Sequence, residues 1–233
     1  MSTPTSRAVG LLYGQFIGDA LGSRYEFLRG QGVRKKFESD RNTLGQIPLL
    51  GGGPFGYGPG VVTDDGEMAM SLLSSCIDLN HFDASDVACA YVRWRLTSPP
   101  DIGNTCRAAL SISGDDGLRN KLNSSDWQSN LSQEKKNAVR MKVVENARRH
   151  NFQSLSNGSL MRQSVLAAFF SNEKTYAHLL SSVKSDTLLT HSHPDANDAS
   201  LAFARTLFYL INGSTPEEAH QKTLEQAESK LIQ

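Results

Sequence analysis

Residues 65–79 have the sequence DGEMAMSLLSSCIDL, in which apolar side chains recur every three or four positions. This spacing places Met68, Leu72, Leu73, Cys76 and Ile77 on the buried side of a helix. Helical patterns of this kind dominate the chain and predict further helices at 5–21, 84–96, 104–113, 133–150, 158–171, 173–184, 195–212 and 215–231. Alternating strand patterns are almost absent, so the sequence predicts an all-α fold.

Two stretches do not fit a helix. Residues 43–62 contain seven glycines and three prolines, which predicts a loop whose backbone can approach another group closely. Residues 114–131 (GDDGLRNKLNSSDWQSNL) are polar, and we predict a surface connection there.

Composition limits the class of protein. With 233 residues, 39% of them apolar and 21% charged, the chain suits one domain over 1–233. The formal net charge is zero, which gives no electrostatic footprint for nucleic acid or an anionic membrane. Three widely spaced cysteines match neither a disulfide framework nor a cysteine-rich zinc site. No apolar run has the ~18–20 residues that span a bilayer, and we expect a cytoplasmic, or alternatively nuclear, protein.

The first candidate site is Thr63-Asp64-Asp65, which follows the glycine-rich loop. One hydroxyl and two carboxylates are hard oxygen ligands of the kind that Mg²⁺ takes. The same tripeptide is an ordinary helix N-cap, with its acids at the positive end of the helix.

The second candidate is Gly18-Asp19-Ala20-Leu21-Gly22, with Glu26 just beyond it. Asp19 lies inside an apolar helical pattern, so its carboxylate needs a partner if it is buried. Gly22 is a natural helix C-cap, and a Glu beyond such a cap is usually solvated.

Two further polar segments precede apolar helices. Ser156-Asn157-Gly158-Ser159 predicts a turn, and the helix N-terminus after it could hold an anion such as a phosphate. In the segment 190–198 (THSHPDAND), His191 and His193 could ligate a metal, but no cysteine or third histidine lies nearby, and a histidine before a helix more often hydrogen-bonds a backbone group. The spacing Gly51-x-Gly53-x-x-Gly56 follows no clear strand, so we interpret it as a chance match to a dinucleotide motif.

Five segments in this order resemble the ADP-ribosylglycohydrolase family. They are GQFIGDALGSRYEF at 14–27, GVVTDDGEMAM at 60–70, SPPDIGNTCRAAL at 98–110, SNGSLMR at 156–162 and THSHPDANDAS at 190–200. The resemblance implies an all-helical orthogonal bundle around two Mg²⁺ ions, in a cleft that binds ADP-ribose. It also implies hydrolysis of the bond between C1″ of the distal ribose and a protein side chain or small molecule. The substrates would then be ADP-ribosylated proteins or small ADP-ribosyl conjugates.

The same resemblance assigns roles to individual residues. Thr63, Asp64 and Asp65 would be metal ligands, and Glu26 would gate the site or serve as a base, so that Glu26, Asp64 and Asp65 form the catalytic set. Asp101, Ile102 and Gly103 would form a loop over the substrate. Gly158 and Ser159 would offer N–H groups to the diphosphate, Asn157 would shape that turn, and His191 would line the ribose pocket. Met161 and Arg162 would support the site from behind.

The family's last signature, a Gly-Asp-x-Asp-Thr segment that completes the metal site, does not occur in these 233 residues. We therefore expect a domain that is incomplete at its C-terminus and a second metal site without its ligands. Two alternatives follow: a piece of a longer hydrolase, or a shortened member that binds ADP-ribose or regulates with weakened catalysis.

Overall fold

The computed structural model describes residues 3–112 and 116–229, and within these ranges it contains α-helices, short 3₁₀ turns and no strand. The predicted all-α fold is confirmed. The α-helices are α1 (Pro4–Gly22), α2 (Gly30–Asp40), α3 (Asp64–Leu79), α4 (Ala84–Leu96), α5 (Asn104–Ala109), α6 (Asp116–Asn123), α7 (Trp127–Asn130), α8 (Gln133–His150), α9 (Gln163–Phe169), α10 (Tyr176–Thr187), α11 (Pro194–Ile211) and α12 (Pro216–Leu224).

Two capped helices, α4 and α8, have the bounds that the sequence predicts. The Asp83 carboxylate accepts the N–H of Ser85 at 2.7 Å and starts α4, and the Ser132 hydroxyl accepts the N–H of Lys135 and starts α8. A capping side chain satisfies amide groups that the first turn of a helix leaves without partners. The predicted helices 84–96 and 133–150 are therefore confirmed to the residue.

The core forms around α3 and α4. The side chains of Met68, Leu72 and Cys76 are fully buried, as their spacing predicts. Ile77 is 61% exposed, so its predicted burial is wrong. Helix α4 packs against α3 and α8, while α11 packs against α9, α10 and α12, and α1 lies across α9. This arrangement brings the C-terminal half of α1 beside the first turn of α3.

The surface connection predicted at 114–131 is wrong over its described part, which contains α6 and α7; residues 113–115 lie outside the described ranges. Three apolar side chains there, Leu122, Trp127 and Leu131, are buried against the core. Because burial of an aromatic or leucine side chain contributes about 1.5–3 kcal/mol, three anchors order a segment whose average composition is polar.

The sequence does not predict helix α2, because this segment contains Gly30 and Gly32 and buries no residue. Contacts from outside the helix hold it. The Phe37 ring packs on Tyr25, and the Asp40 carboxylate at its C-terminal end pairs with Arg24.

Three predicted helices end or begin elsewhere. The Asn146 side chain donates to the carbonyls of Ala109 and Ser111, and α5 ends at Ala109 instead of 113. The segments predicted at 158–171 and 173–184 start with the 3₁₀ turns Leu160–Arg162 and Glu173–Thr175 before α9 and α10.

Helix α12 ends at Leu224, where the sequence predicts a helix to 231 (residues 230 and 231 lie outside the described ranges). The chain turns back towards α11 there. The Asp198 carboxylate accepts the N–H groups of Glu228 and Ser229, and Arg205 donates to the carbonyl of Gln226.

Across residues 3–112 and 116–229, no helix combines the length and the apolar character needed to cross a membrane.

Candidate active site

A cavity of about 450 Å³ lies between α1, the first turn of α3 and α11. Its polar wall carries Asp19, Glu26, Thr63 and Asp65, while Met161 and Phe203 contribute apolar surface. Three members of the predicted catalytic and metal set, Glu26, Thr63 and Asp65, thus share one cavity, although they lie up to 39 positions apart in the sequence.

The Asp19 carboxylate joins α1 to the start of α3. It accepts hydrogen bonds from the Thr63 N–H at 2.9 Å, the Thr63 hydroxyl at 2.7 Å and the Gly66 N–H at 2.8 Å. These bonds give the partner that the sequence demands for a carboxylate in an apolar helix. A Cβ at position 66 would lie 2.6 Å from Asp19 Oδ2, so this close approach requires glycine.

The capping interpretation of Thr63-Asp64-Asp65 is confirmed. Thr63 is the N-cap of α3, and its hydroxyl accepts the N–H of Asp65 at 3.3 Å. Capping and metal binding are not mutually exclusive here, because the carboxylates of Asp64 and Asp65 project from the first turn and take no part in the cap.

Glu26 is held in place through its neighbours in the chain. Helix α1 runs through Gly22, with φ near −65°, into a 3₁₀ turn at Ser23–Tyr25, so Gly22 is not the predicted C-cap. The Arg24 guanidinium donates to both Asp40 oxygens at 2.6 and 2.7 Å and to the Gly51 carbonyl at 2.6 Å. This bidentate pair fixes the segment that carries Glu26 against the glycine-rich loop.

The glycine-rich loop approaches this segment as closely as its composition predicts. Gly52 and Tyr57 exchange both backbone hydrogen bonds, at 2.6 and 3.0 Å, and close a tight turn. Gly53 has φ +72°, and a Cβ there would overlap the Ser23 carbonyl oxygen. Only glycine combines this backbone conformation with this contact. The loop opens no helix after Gly56, which agrees with a chance match to the dinucleotide motif.

The acids of the site raise one another's pKa. Burial, and then the charges of Asp101, Asp64 and Asp19, raise the pKa of Glu26 to about 7. Burial, and then Asp101 and Asp65, raise the pKa of Asp64 to about 7. Burial, and then Asp19 and Glu26, raise the pKa of Asp65 to about 6. Such shifts show that the negative charge of these carboxylates lacks compensation, which is typical of functional sites.

The loop at 101–103 meets this acidic cluster. The Gly103 N–H donates to Asp64 Oδ2 at 3.3 Å, and burial raises the pKa of Asp101. One oxygen of Asp101 and one of Glu26 are buried without a hydrogen-bond partner among the described residues. Since buried polar atoms are normally paired, these two oxygens are unsatisfied acceptors at the edge of the acidic cluster.

The donor set fits a hard cation. Hydroxyl and carboxylate oxygens are the ligands that Mg²⁺ takes, and two of the carboxylate oxygens here lack partners. Within the described ranges, no three His, Cys, Asp or Glu side chains converge as a ligand set. The residues therefore fit a cation in the chemistry of their donor atoms, and binding one would require the carboxylates to move closer to a common point.

The turn at 156–159 lies behind the loop at 101–103. Gly158 and Ser159 are buried and Asn157 is exposed. A Cβ on Gly158 would lie 2.8 Å from Cys106 Sγ and 3.2 Å from His191 Cε1, so the turn packs directly on these side chains. His191 is fully buried, which differs from its predicted place on the ribose pocket wall. The turn at 156–159 covers the ring of His191, which contacts Gly158 and Ser156 from the protein interior.

His193 has a separate structural role. Its Nδ1 accepts the N–H of Asp195 at 3.1 Å and caps α11. The two histidines of the THSHPD segment therefore take different structural places, and neither joins the acidic cavity.

A buried ionic cluster lies under the turn. Arg162 is fully buried and donates to the Gly158 carbonyl at 2.7 Å and to Asp186 Oδ2 at 2.8 Å. Tyr91 and Gln163 also donate to the Asp186 carboxylate. Sequence reasoning missed Asp186 and these two donors. An Asp within the amphipathic α10 was the available signal, because a carboxylate placed among buried positions requires a partner.

The chain is similar to known proteins over most of its length. The family model described as ADP-ribosylglycohydrolase matches residues 1–232. A protein of Acanthamoeba polyphaga mimivirus, provisionally named ADP-ribosyl glycohydrolase L543, is 30% identical over 219 residues, which are 92% of this chain and 58% of that protein. The ADP-ribosyl-dinitrogen reductase glycohydrolase of Rhodospirillum rubrum is 27% identical over 207 residues, with coverages of 89% and 58%.

An ADP-ribosylarginine hydrolase, Tri1 of Serratia proteamaculans, is 28% identical over 225 residues, which are 94% of this chain and 51% of that protein. The chain thus spans between half and three fifths of the length of these curated relatives. A solved structure of an ADP-ribosylglycohydrolase-related protein complex has the same fold, with a TM-score of 0.65 and 23% identity over 98% of this chain and 64% of the other. On the match of the family model over residues 1–232, the chain belongs to the ADP-ribosylglycohydrolase family.

Proposed function

We propose that this protein hydrolyses the bond between C1″ of the distal ribose of ADP-ribose and an acceptor, which is a protein side chain or a small molecule. Family membership supports the reaction class, and the name of the Serratia relative favours arginine as the acceptor. The observation that carries the proposal is the acidic cavity lined by Glu26 and Asp65, which, together with the neighbouring Asp64, have raised pKa values.

The reaction needs carboxylates for a physical reason. Cleavage of a glycosidic bond develops positive charge at the anomeric carbon, and nearby carboxylates stabilise that charge and activate a water molecule. In this proposal the water oxygen bonds to C1″ while the bond from C1″ to the acceptor breaks. Glu26 accepts a proton from the water and returns it to the acceptor, so that ADP-ribose and the free acceptor are the products. Without a cation in the site, burial and the neighbouring acids raise the pKa of Glu26 to about 7, so this carboxyl group can hold and release a proton near neutral pH.

A divalent ion completes the proposal. Thr63, Asp64 and Asp65 would hold Mg²⁺, which supplies orientation of the ribose hydroxyls and polarisation of bound oxygens. The backbone around Asn157, Gly158 and Ser159 would bind the diphosphate, and the loop from Asp101 to Gly103 would cover the substrate. The acid set has an excess of negative charge that a cation would compensate.

A second candidate function is binding of ADP-ribose without efficient turnover. The absence of a converged set of three ligands among residues 3–112 and 116–229 favours this candidate, because Mg²⁺ requires near-octahedral coordination and dehydrates reluctantly. The two candidates share a cleft and differ in metal dependence and turnover.

The test measures release of ADP-ribose from arginine-linked and serine-linked conjugates in the presence of Mg²⁺. We expect Glu26→Gln and Asp65→Asn to lower kcat at least ~100-fold, the usual contribution of a positioned acid or base. Glu173→Gln, which changes an exposed acid in the 3₁₀ turn at 173–175, is the matched control and should retain the parent rate.

Turnover that survives both site substitutions would contradict the assignment of the acidic cavity. Saturable binding of ADP-ribose without release by the folded parent chain would instead select the binding candidate.

A further inference from the structure

A chain of side-chain hydrogen bonds runs from the buried Arg162–Asp186 pair to the turn at 156–159. Arg162 Nη2 lies 3.0 Å from Thr190 Oγ1, Thr190 Oγ1 lies 2.9 Å from His191 Nδ1, and His191 Nε2 lies 2.8 Å from Ser156 Oγ. Arg162, Thr190 and His191 are fully buried, so water does not compete for the two bonds among them, whereas Ser156 at the outer end of the chain is exposed. The order of donors along this chain is fixed by its buried end.

Arginine sets the direction because a guanidinium can only donate. Thr190 Oγ1 therefore accepts from Arg162, and the Thr190 O–H remains to be placed. Its other polar neighbour is His191 Nδ1. If Nδ1 carried the proton instead, Thr190 would accept twice and leave its own O–H buried without an acceptor, which is unfavourable. Nδ1 is thus the acceptor.

The remaining ring proton of His191 lies on Nε2. Burial and the neighbouring Arg162 charge lower the pKa of His191 to about 3, so the ring is neutral and carries one proton. Nε2–H then donates to Ser156, and the Ser156 hydroxyl donates onward to Thr105 Oγ1 at 3.1 Å. Thr105 lies in the first turn of α5, directly after the loop at 101–103.

The hydrogen-bond chain therefore joins the two segments that the proposed function assigns to the substrate. A second link supports the same junction, because the buried Asn151 side chain donates to the carbonyls of both Thr105 and Thr190, at 2.8 and 2.9 Å. Loss of the Thr190 hydroxyl would remove the bond that sets the state of the His191 ring, while Arg162 keeps its bonds to Asp186 and to the Gly158 carbonyl.

We propose that Thr190 is a positioning residue: its hydroxyl holds His191 as the neutral Nε2–H tautomer, and His191 in turn holds Ser156, so that the turn at 156–159 and the loop at 101–103 keep the spacing that ADP-ribose requires. The substrate part of this inference rests on the proposed function, whereas the tautomer can be measured without substrate.

The direct test is a long-range ¹H–¹⁵N correlation spectrum of the full chain labelled with ¹⁵N-histidine. The His191 signals are assigned by their loss in His191→Gln. We expect a pyrrole-like Nε2 and a pyridine-like Nδ1 in the parent and in Thr190→Ser, and a mixture of tautomers in Thr190→Val, which has the same shape without the hydroxyl. Thr206→Val, which removes a threonine–threonine hydrogen bond between α11 and α12, is the matched control and should leave the His191 signals unchanged.

Binding of ADP-ribose, measured by calorimetry on the same variants, tests the consequence. We expect Thr190→Val to weaken binding about 3- to 10-fold, the effect of losing one neutral buried hydrogen bond, and Thr190→Ser to restore it. Ser156→Ala should weaken binding to a similar degree while the His191 tautomer stays as in the parent. Ser156→Ala thus tests the position of the turn at 156–159 without changing the tautomer of His191.

A protonated Nδ1 or an imidazolium in the parent overturns the inference, and so does parent-like binding by Thr190→Val. A parent chain that shows the Nε2–H tautomer and binds no ADP-ribose refutes the substrate part together with the proposed function. A parent that releases ADP-ribose while His191 carries its proton on Nδ1 refutes this inference alone.

Discussion

Substitution of Gly66 by alanine tests how α1 holds the start of α3. A Cβ at this position would lie 2.6 Å from Asp19 Oδ2 and 2.6 Å from Val62 Cβ. The Asp19 carboxylate would have to move, and it accepts three hydrogen bonds, from Gly66 and from two atoms of Thr63. A hydrogen bond to a charged group contributes about 1.5–3 kcal/mol, and overpacking costs about 1–3 kcal/mol.

The gain in helix propensity from glycine to alanine, at most about 1 kcal/mol, offsets part of this loss. We therefore expect Gly66→Ala to lower the free energy of unfolding by about 2 kcal/mol. In a chain of this size, that corresponds to a fall in Tm of about 4–8 °C, measured by thermal unfolding followed by circular dichroism.

Gly10→Ala is the matched control, because Gly10 is an exposed position of α1 with no atom within 4 Å of the added Cβ. We expect it to raise Tm by about 2 °C through helix propensity alone. A Gly66→Ala variant as stable as the parent would contradict this expectation, since the Asp19 carboxylate would then not need its present place.

Three further outcomes are expected. Asp186→Asn leaves a fully buried Arg162 without its countercharge and should lower the free energy of unfolding by about 3–5 kcal/mol in denaturant titrations. The Arg24 hydrogen bonds lower the pKa of Asp40 to about 2, below its value in the unfolded chain. The pair therefore stabilises the fold by about 2 kcal/mol above about pH 4, and this contribution is lost as the pH falls towards 2. In Asp40→Asn, the free energy of unfolding measured from pH 2 to 6 should depend less steeply on pH. A Cβ added by Gly158→Ala would overlap Cys106 Sγ, so this variant should bind ADP-ribose more weakly than the parent. Adding Cys106→Ala should recover part of the lost affinity, with a coupling energy of about 1 kcal/mol or more in the double-mutant cycle.

Elements whose signals are local can be predicted from the sequence. The bounds of α4 and α8 follow from a capping side chain at one end and an apolar period along the helix, both within the same 20 residues. The glycine-rich loop is equally predictable, since a run such as Gly51-Gly52-Gly53-Pro54 excludes a regular helix.

Elements stabilised by distant partners could not be predicted. Helix α2 depends on Arg24 and Tyr25 outside it, and α7 depends on the burial of Trp127 against the core. No local pattern in either segment shows these contacts, so tertiary packing decides their conformation.

The candidate site shows the same division. The family resemblance assigns Glu26, Asp64 and Asp65 to one catalytic set, which stays a prediction; the structure shows that these three carboxyl groups lie close enough to affect one another's pKa values. The sequence shows that Asp19 requires a partner, but the partner, Thr63, lies 44 positions away.

Dependence of the proposed hydrolase on a cation is tested by the release of ADP-ribose from an arginine-linked conjugate by the full chain, first depleted of metal with EDTA and then titrated with Mg²⁺. We expect no release in EDTA and a saturable recovery with Mg²⁺ that Asp65→Asn abolishes. Release that continues undiminished in EDTA would contradict this dependence, because the carboxylates at the start of α3 would then not act through a cation.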